Sequence, residues 1–271
     1  MLRSAVLLIA GLCSFVGPAA AQNAADDSEC LAIARALPHA TFVNLQAADT
    51  SDAVRITYVG HSTYEIETPG RIVIATDWSG AYRMDRVPDV VTMNHAHSTH
   101  FTLHPDPRIR HVLHGWRDDG QPAHIADHIG DVFIRNVTTD IRRNYYDTSS
   151  ADMIKDGNSI FIFEVAGLCI GHLGHLHVRL DDSQFAAIGR LDILMVPIDG
   201  TYTMSLDGIS DMTRRLHASI VLPMHRFSTT IDDFEHLIGD QFAVDVRREK
   251  SFTVSRGTLP GRPTVIVLDG V

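Results

Sequence analysis

Three histidines fall within six residues in the stretch Asn94-His95-Ala96-His97-Ser98-Thr99-His100, directly after the apolar run that ends at Met93. Imidazole is the commonest neutral metal ligand in proteins. Two histidines one residue apart in an extended turn can aim at a single point, and a third placed three positions on reaches it from the next turn. Zinc takes three or four such ligands at about 2.0–2.1 Å. The chain uses histidine freely, with sixteen in all and His104, His111 and His114 close by. The cluster alone therefore does not separate a metal site from a solvated run.

Distant residues carry the argument further. His172 closes the apolar run Leu-Cys-Ile-Gly-His, Asp199 closes Leu-Asp-Ile-Leu-Met-Val-Pro-Ile-Asp, and His225 closes Ser-Ile-Val-Leu-Pro-Met-His. In open α/β sheets ligands gather at the carboxyl ends of strands. One shared site explains all three strand ends, whereas solvated caps would need three separate accidents. A metal here would draw on imidazole and carboxylate, because only Cys30 and Cys169 follow the leader segment.

The elements that must position these residues are legible in outline. Residues 1–21 have a basic start at Arg3, a short apolar centre and the small residues Ala19-Ala20-Ala21, the pattern of a secretory signal. The protein is thus expected outside the cytoplasm, periplasmic or secreted, with no stable membrane span once the leader is removed. Residues 22–49 read as an N-terminal segment with a short helix over 29–37, ended by Pro38. Alternating and β-branched residues predict antiparallel strands at 54–60, 63–68 and 71–77, with Pro69-Gly70 as a turn. Further strands are expected at 89–95, 131–137, 159–165, 168–172, 191–199, 219–225 and 264–270, and helices at 181–190 and 205–217. Residues 138–157 read as a long polar loop, and 104–131 has no clear pattern. In an oxidising compartment Cys30 and Cys169 could pair, but Cys169 reads equally well as a small buried residue. The formal charge of −10 repels phosphate backbones and disfavours long nucleic acids; a small-molecule substrate is the expected partner.

The order His-x-His-x-x-His, then Gly171-His172-Leu173-Gly174-His175, then a strand and Pro-Met-His, is similar to that of the metallo-β-lactamase superfamily. Val59-Gly60-His61-Ser62, Gly200-Thr201-Tyr202-Thr203-Met204 and Leu222-Pro223-Met224-His225 resemble its branch containing L-ascorbate-6-phosphate lactonase. The resemblance covers residues 54–226 and implies that residues 50–271 form one α/β hydrolase domain. That domain would be a four-layer αβ/βα sandwich, two mixed β-sheets flanked by helices, with metals at one edge. It also implies that His95, His97 and His172 hold a first ion. His100 and His225 would serve a second, and His175 is open to either. Asp77 would support the His loop from behind, and His61 would orient loops or substrate.

Two departures from that pattern matter. Thr99 stands where the family has an aspartate, and His175 where it has a metal-bridging aspartate. A neutral imidazole cannot bridge two cations as a carboxylate does. The expectation is therefore one firmly bound ion, Zn2+ with Mn2+ or Fe2+ as alternatives, and a weak or absent second. The implied chemistry is attack by metal-bound hydroxide on a small ester, lactone or amide, with His175, Asp199 or His100 moving the proton. A phosphodiesterase, or a degenerate member that binds metal or ligand without turnover, is the competing reading.

Overall fold

The computed structural model describes residues 28–31, 52–144, 147 and 151–271. The expected leader and most of the N-terminal segment lie outside the described residues, although residues 29–31 are helical. The strands are β1 (Val54–Gly60), β2 (Thr63–Glu67), β3 (Val73–Ala75), β4 (Val90–Met93), β5 (His111–His114), β6 (Ala126–Ile129), β7 (Val132–Arg142), β8 (Met153–Val165), β9 (Leu168–His172), β10 (Ile193–Pro197), β11 (Ile220–Met224), β12 (Ala243–Val246), β13 (Ser251–Val254) and β14 (Thr264–Val267). Besides residues 29–31, the α-helices among the described residues are α1 (Asp182–Ile188), α2 (Leu206–Leu216) and α3 (Ile231–Ile238).

Two mixed sheets face each other. One runs β13-β1-β2-β3-β4-β5 and the other β12-β14-β11-β10-β9-β8-β7-β6. The interior follows from alternation along the strands. In β8, Phe161 and Phe163 point between the sheets while Ile160 and Ile162 face the helices. In β10, Ile193 and Met195 face inward and Leu194 and Val196 outward. This double burial is why those segments read as unbroken apolar runs. Truncating either buried phenylalanine to alanine would cost about 3–5 kcal/mol.

Among the described residues, helices α1, α2 and α3 contribute to the core cluster on the outer face of the eight-stranded sheet, through Ile188 of α1, Ile209, Met212 and Leu216 of α2, and Phe234 and Ile238 of α3. The outer face of the six-stranded sheet is covered differently. Among the described residues, connecting segments do this work, with Trp78, Met84, Val87 and Trp116 packed on Val91 and Met93.

Helix ends obey their local chemistry. Asp181 and Gln184 form a capping box on α1, and Thr230 and Asp233 form another on α3, each satisfying first-turn N–H groups. The buried Arg135 guanidinium holds Glu164 at 2.6 Å and also donates to the carbonyls of Ala187 and Ile188, at the end of α1. Glu164 in turn accepts from the Ser28 hydroxyl and the Cys30 N–H. Cys30 and Cys169 are joined by a disulfide across 139 residues. The start of the described chain is thereby fastened to β9.

The reading of 138–157 as a loop is corrected. Strands β7 and β8 stay paired through Thr138↔Ser159 and Thr139↔Asn158 as far as Arg142↔Met153, with a register shift between Thr139 and Ile141. Backbone pairing with a long neighbour keeps this polar stretch extended where the apolar signal fails. The short strands β5, β6, β12 and β13 and helix α3 also escaped the sequence reading.

Candidate metal centre

Strand ends from both sheets meet at one edge of the sandwich. His61 sits in the β1–β2 turn, Asp77 just beyond β3, His97 and His100 in the loop after β4, Asp199 beyond β10 and His225 immediately after β11. Three of these, His61, Asp77 and His225, have left-handed backbone with φ of 55°, 46° and 51°. Non-glycine residues adopt that conformation at a cost of order 1–3 kcal/mol and concentrate at functional sites.

One ring nitrogen from each of His61, His97, His100 and His225 lies within 4.8 Å of all the others. The partners of the opposite nitrogens decide what each ring presents. His100 Nδ1 lies 2.7 Å from Asp77 Oδ2 and donates to it. The lone pair of His100 is therefore on Nε2, which sits 3.1 Å from His97 Nε2. His225 Nδ1 donates to Asp199 Oδ1 at 2.9 Å, leaving its lone pair on Nε2 as well. His97 Nδ1 is 2.8 Å from the Thr99 hydroxyl. Carboxylate–histidine pairs of this kind fix tautomer and ring orientation in metal sites.

The structure supports a cation here on its own terms. The Nε2 atoms of His61 and His225 are buried and have no hydrogen-bond partner, a costly state unless something else satisfies them. A cation would do so, and the residues present fit one.

The carboxylates are themselves tightly held. Asp77 also accepts from Asn94 Nδ2 at 2.9 Å. Asn94 reaches across to the other sheet, donating to the Ser159 carbonyl and accepting the Ser159 N–H at 2.7 Å. Burial raises Asp77 above the usual carboxylate range. Burial would raise Asp199 too, but hydrogen bonds from His225, Thr203 and the Thr201 N–H outweigh it and lower this carboxyl.

The structure does not bring every expected ligand to the centre. His95, expected in the first ligand set, lies apart from the cluster: it is exposed, stacked on Trp116 with 4.9 Å between ring centroids, and edge-on to Phe101. His172, expected beside it as a ligand, is also engaged elsewhere. Its Nε2 donates to the Ser62 carbonyl at 2.8 Å and its Nδ1 accepts the Gly174 N–H at 3.0 Å, so neither nitrogen is turned to the cluster. It ties β9 to the β1–β2 turn that carries His61. His61, read as an orienting residue, instead stands among the four clustered rings. His175 packs perpendicular to the rings of His97, His100 and His225 at centroid separations of 5.1, 4.8 and 4.9 Å. Gly174 permits that turn, with φ of +61° and no room for a Cβ, which would lie 2.4 Å from Asn158 Oδ1.

Asn94 and Asn158 were missed. Asn94 had a signal in its position, a buried amide directly after β4, whereas Asn158 lies inside β8, opposite Thr139, where no strand end marks it. Phe227 was missed too: it is 56% exposed, left-handed at φ 51°, and packed against His225, His61 and Tyr202. It forms an aromatic rim to the cluster.

The histidines make the fold acid-sensitive. Burial, with His225 beside them, lowers His61 to about 3 and His97 to about 4. Burial likewise lowers His100 and His175 well below the ordinary value of 6.5. Between the unfolded and folded values the unfolded chain binds more protons, so acid favours unfolding. The metal-free protein should lose stability progressively as pH falls from about 6.5 toward 4 and hold steady above that window. Urea midpoints from pH 8 to pH 4 check this, and midpoints unchanged down to pH 4.5 would contradict it.

A family model described as a beta-lactamase superfamily domain matches residues 55–225. A UPF0173 metal-dependent hydrolase of Pyrococcus abyssi is 25% identical over 232 residues, covering 71% of this chain and 96% of that one. Among solved structures, a metallo-β-lactamase superfamily protein of Thermotoga maritima, designated a Zn-dependent hydrolase, is similar with a TM-score of 0.57 and 24% identity. That match covers 79% of this chain and 98% of the other. The metallo-β-lactamase fold protein YhfI of Bacillus subtilis matches with a TM-score of 0.51 at 12% identity, over 80% and 97% of the two chains.

Proposed function

Because this chain belongs to the β-lactamase superfamily, whose domain runs through every residue of the imidazole cluster, we propose that it is an exported, zinc-dependent hydrolase of small esters, lactones or amides. Its fold is the metallo-β-lactamase fold, and metal-dependent hydrolysis is the activity of that fold's relatives by name. The observation that carries the reading is the convergence of four imidazoles, two of them braced by buried aspartates.

A divalent cation held there supplies Lewis acidity and brings the pKa of water to about 7. The chain's own residues do the rest. Asp77 and Asp199 fix the rings of His100 and His225, and Thr99 fixes His97. Phe227 and Tyr202 offer an apolar wall for the part of a substrate that does not react. The two aspartates match the charge of one divalent ion, which supports a single firmly bound metal, with Mn2+ or Fe2+ as alternatives to zinc.

Export is supported by the leader-like residues 1–21 and by the Cys30–Cys169 disulfide, since such bonds persist in oxidising compartments. The resemblance of Val59–Ser62 and Leu222–His225 to the L-ascorbate-6-phosphate lactonase branch favours a lactone or ester over a phosphodiester. The test is a panel of lactone, ester, amide, β-lactam and phosphodiester substrates with Zn2+, Mn2+ and Fe2+, beside metal analysis of the purified protein. Turnover of a lactone or ester with one equivalent of metal is expected. Two equivalents of equal affinity would overturn the one-ion reading, and turnover confined to the phosphodiester would overturn the substrate class.

A further inference from the structure

The centre gathers ring nitrogens of two kinds. His100 and His225 each donate outward from Nδ1 to an aspartate, so each turns a lone pair inward. His175 is wired in the opposite sense. The backbone N–H of Arg142 lies 2.8 Å from His177 Nδ1. An amide nitrogen can only donate, so His177 Nδ1 must hold its lone pair and the neutral ring carries its proton on Nε2. That Nε2 is 2.5 Å from His175 Nδ1, which must therefore accept. A neutral His175 then carries its own proton on Nε2, on the side away from His177, where the atom is buried.

We propose that His175 presents an N–H to the centre as the donor for an anionic oxygen brought there, and that His177 is the positioning residue that fixes this tautomer. The inference rests on the metal reading above and deepens it. It assigns the ion to lone-pair nitrogens and the negative charge of substrate or product to His175. An N–H aimed at the centre also repels a second cation, at the position where the resembling family has a bridging carboxylate. A donor already aimed at the place where charge develops needs no rearrangement during reaction.

The surroundings hold this orientation in place. The His175 backbone N–H donates to Asn158 Oδ1 at 2.7 Å. The Arg142 side chain donates to the carbonyls of Thr201, Tyr202 and Thr203, which anchors the residue whose N–H sets His177.

The test begins with two-bond 1H–15N correlation spectra of the metal-free, 15N-histidine-labelled protein. They should show His175 protonated on Nε2 and bare at Nδ1, and the same for His177. In His177→Ala the His175 ring should relax to a mixture of tautomers, and His177→Gln, whose amide can both accept and donate, should restore it. In the zinc-loaded protein, inorganic phosphate is the probe. His175→Ala should keep its zinc affinity within about threefold while phosphate binding weakens about 10²-fold, the scale of losing one such donor. His175→Gln should recover part of that loss. A proton on His175 Nδ1, a hundredfold loss of zinc affinity in His175→Ala, or undiminished phosphate binding would each overturn the proposal. If the wild-type protein bound no zinc, the metal reading would fall, while the metal-free spectra would still decide the tautomer.

Discussion

Alanine at His97 or His225 is expected to weaken zinc binding by about 10²–10³-fold, and hydrolysis should fall with it. Each ring is one of four that converge, and a structural zinc site binds with about 10–16 kcal/mol in total. A quarter of that is about 3–4 kcal/mol, which sets the size of the effect. The informative controls are the two histidines that the motif suggests and the geometry moves aside. His95→Ala should leave zinc affinity within about threefold, because its ring stacks on Trp116. His172→Ala should instead lower thermal stability, since the Ser62 carbonyl and Gly174 N–H lose their partner at about 1–3 kcal/mol for buried groups. Chelator competition and thermal denaturation on the same four variants separate the cases. If His95→Ala proved as damaging to zinc affinity as His97→Ala, the ligand set would be the one the motif implies, and the cluster described here would be wrong.

The second large effect is electrostatic. Asp199→Asn and Asp77→Asn should each weaken zinc binding by about 10–100-fold, the usual cost of losing a partner behind a metal-bound histidine. An asparagine oxygen can still accept from the imidazole Nδ1. The change therefore removes charge while keeping much of the geometry. Both carboxylates are buried against their histidines, where opposite charges are poorly screened. The Asp199 variant carries an added cost, because Thr201 and Thr203 also use that carboxylate. Affinities in both variants that match the wild type would show that the ion's charge is balanced elsewhere.

Strand ends were the readable part of the sequence. His225, Asp199 and Asp77 each close an apolar segment, and apolar runs buried on both faces announce themselves by composition. What could not be read was which imidazole in a dense run turns inward. Asn94 is spent on Asp77 and Ser159, and that pins the loop so that His97 and His100 face the centre while His95 faces out. The aromatic partner that receives His95 lies more than twenty residues further on, in a stretch with no pattern of its own. His61 carried no ligand spacing at all. It enters the cluster through a left-handed turn that sequence does not announce, since glycine and not histidine is the usual resident there. The polar half of the β7–β8 ribbon was lost for a related reason: its strand character comes from backbone pairing, which leaves no periodic mark when neither face is greasy.

The bond between Cys30 and Cys169 encloses nearly the whole first half of the sandwich, including the exposed Arg143 just past β7. A trypsin-like protease that nicked the chain after Arg143 would leave two pieces with His61, His97 and His100 on one and His225 on the other. They would still migrate as a single band until a thiol reagent was added. Such a cut protein would be two chains tethered by one covalent bond after the polypeptide had lost its continuity.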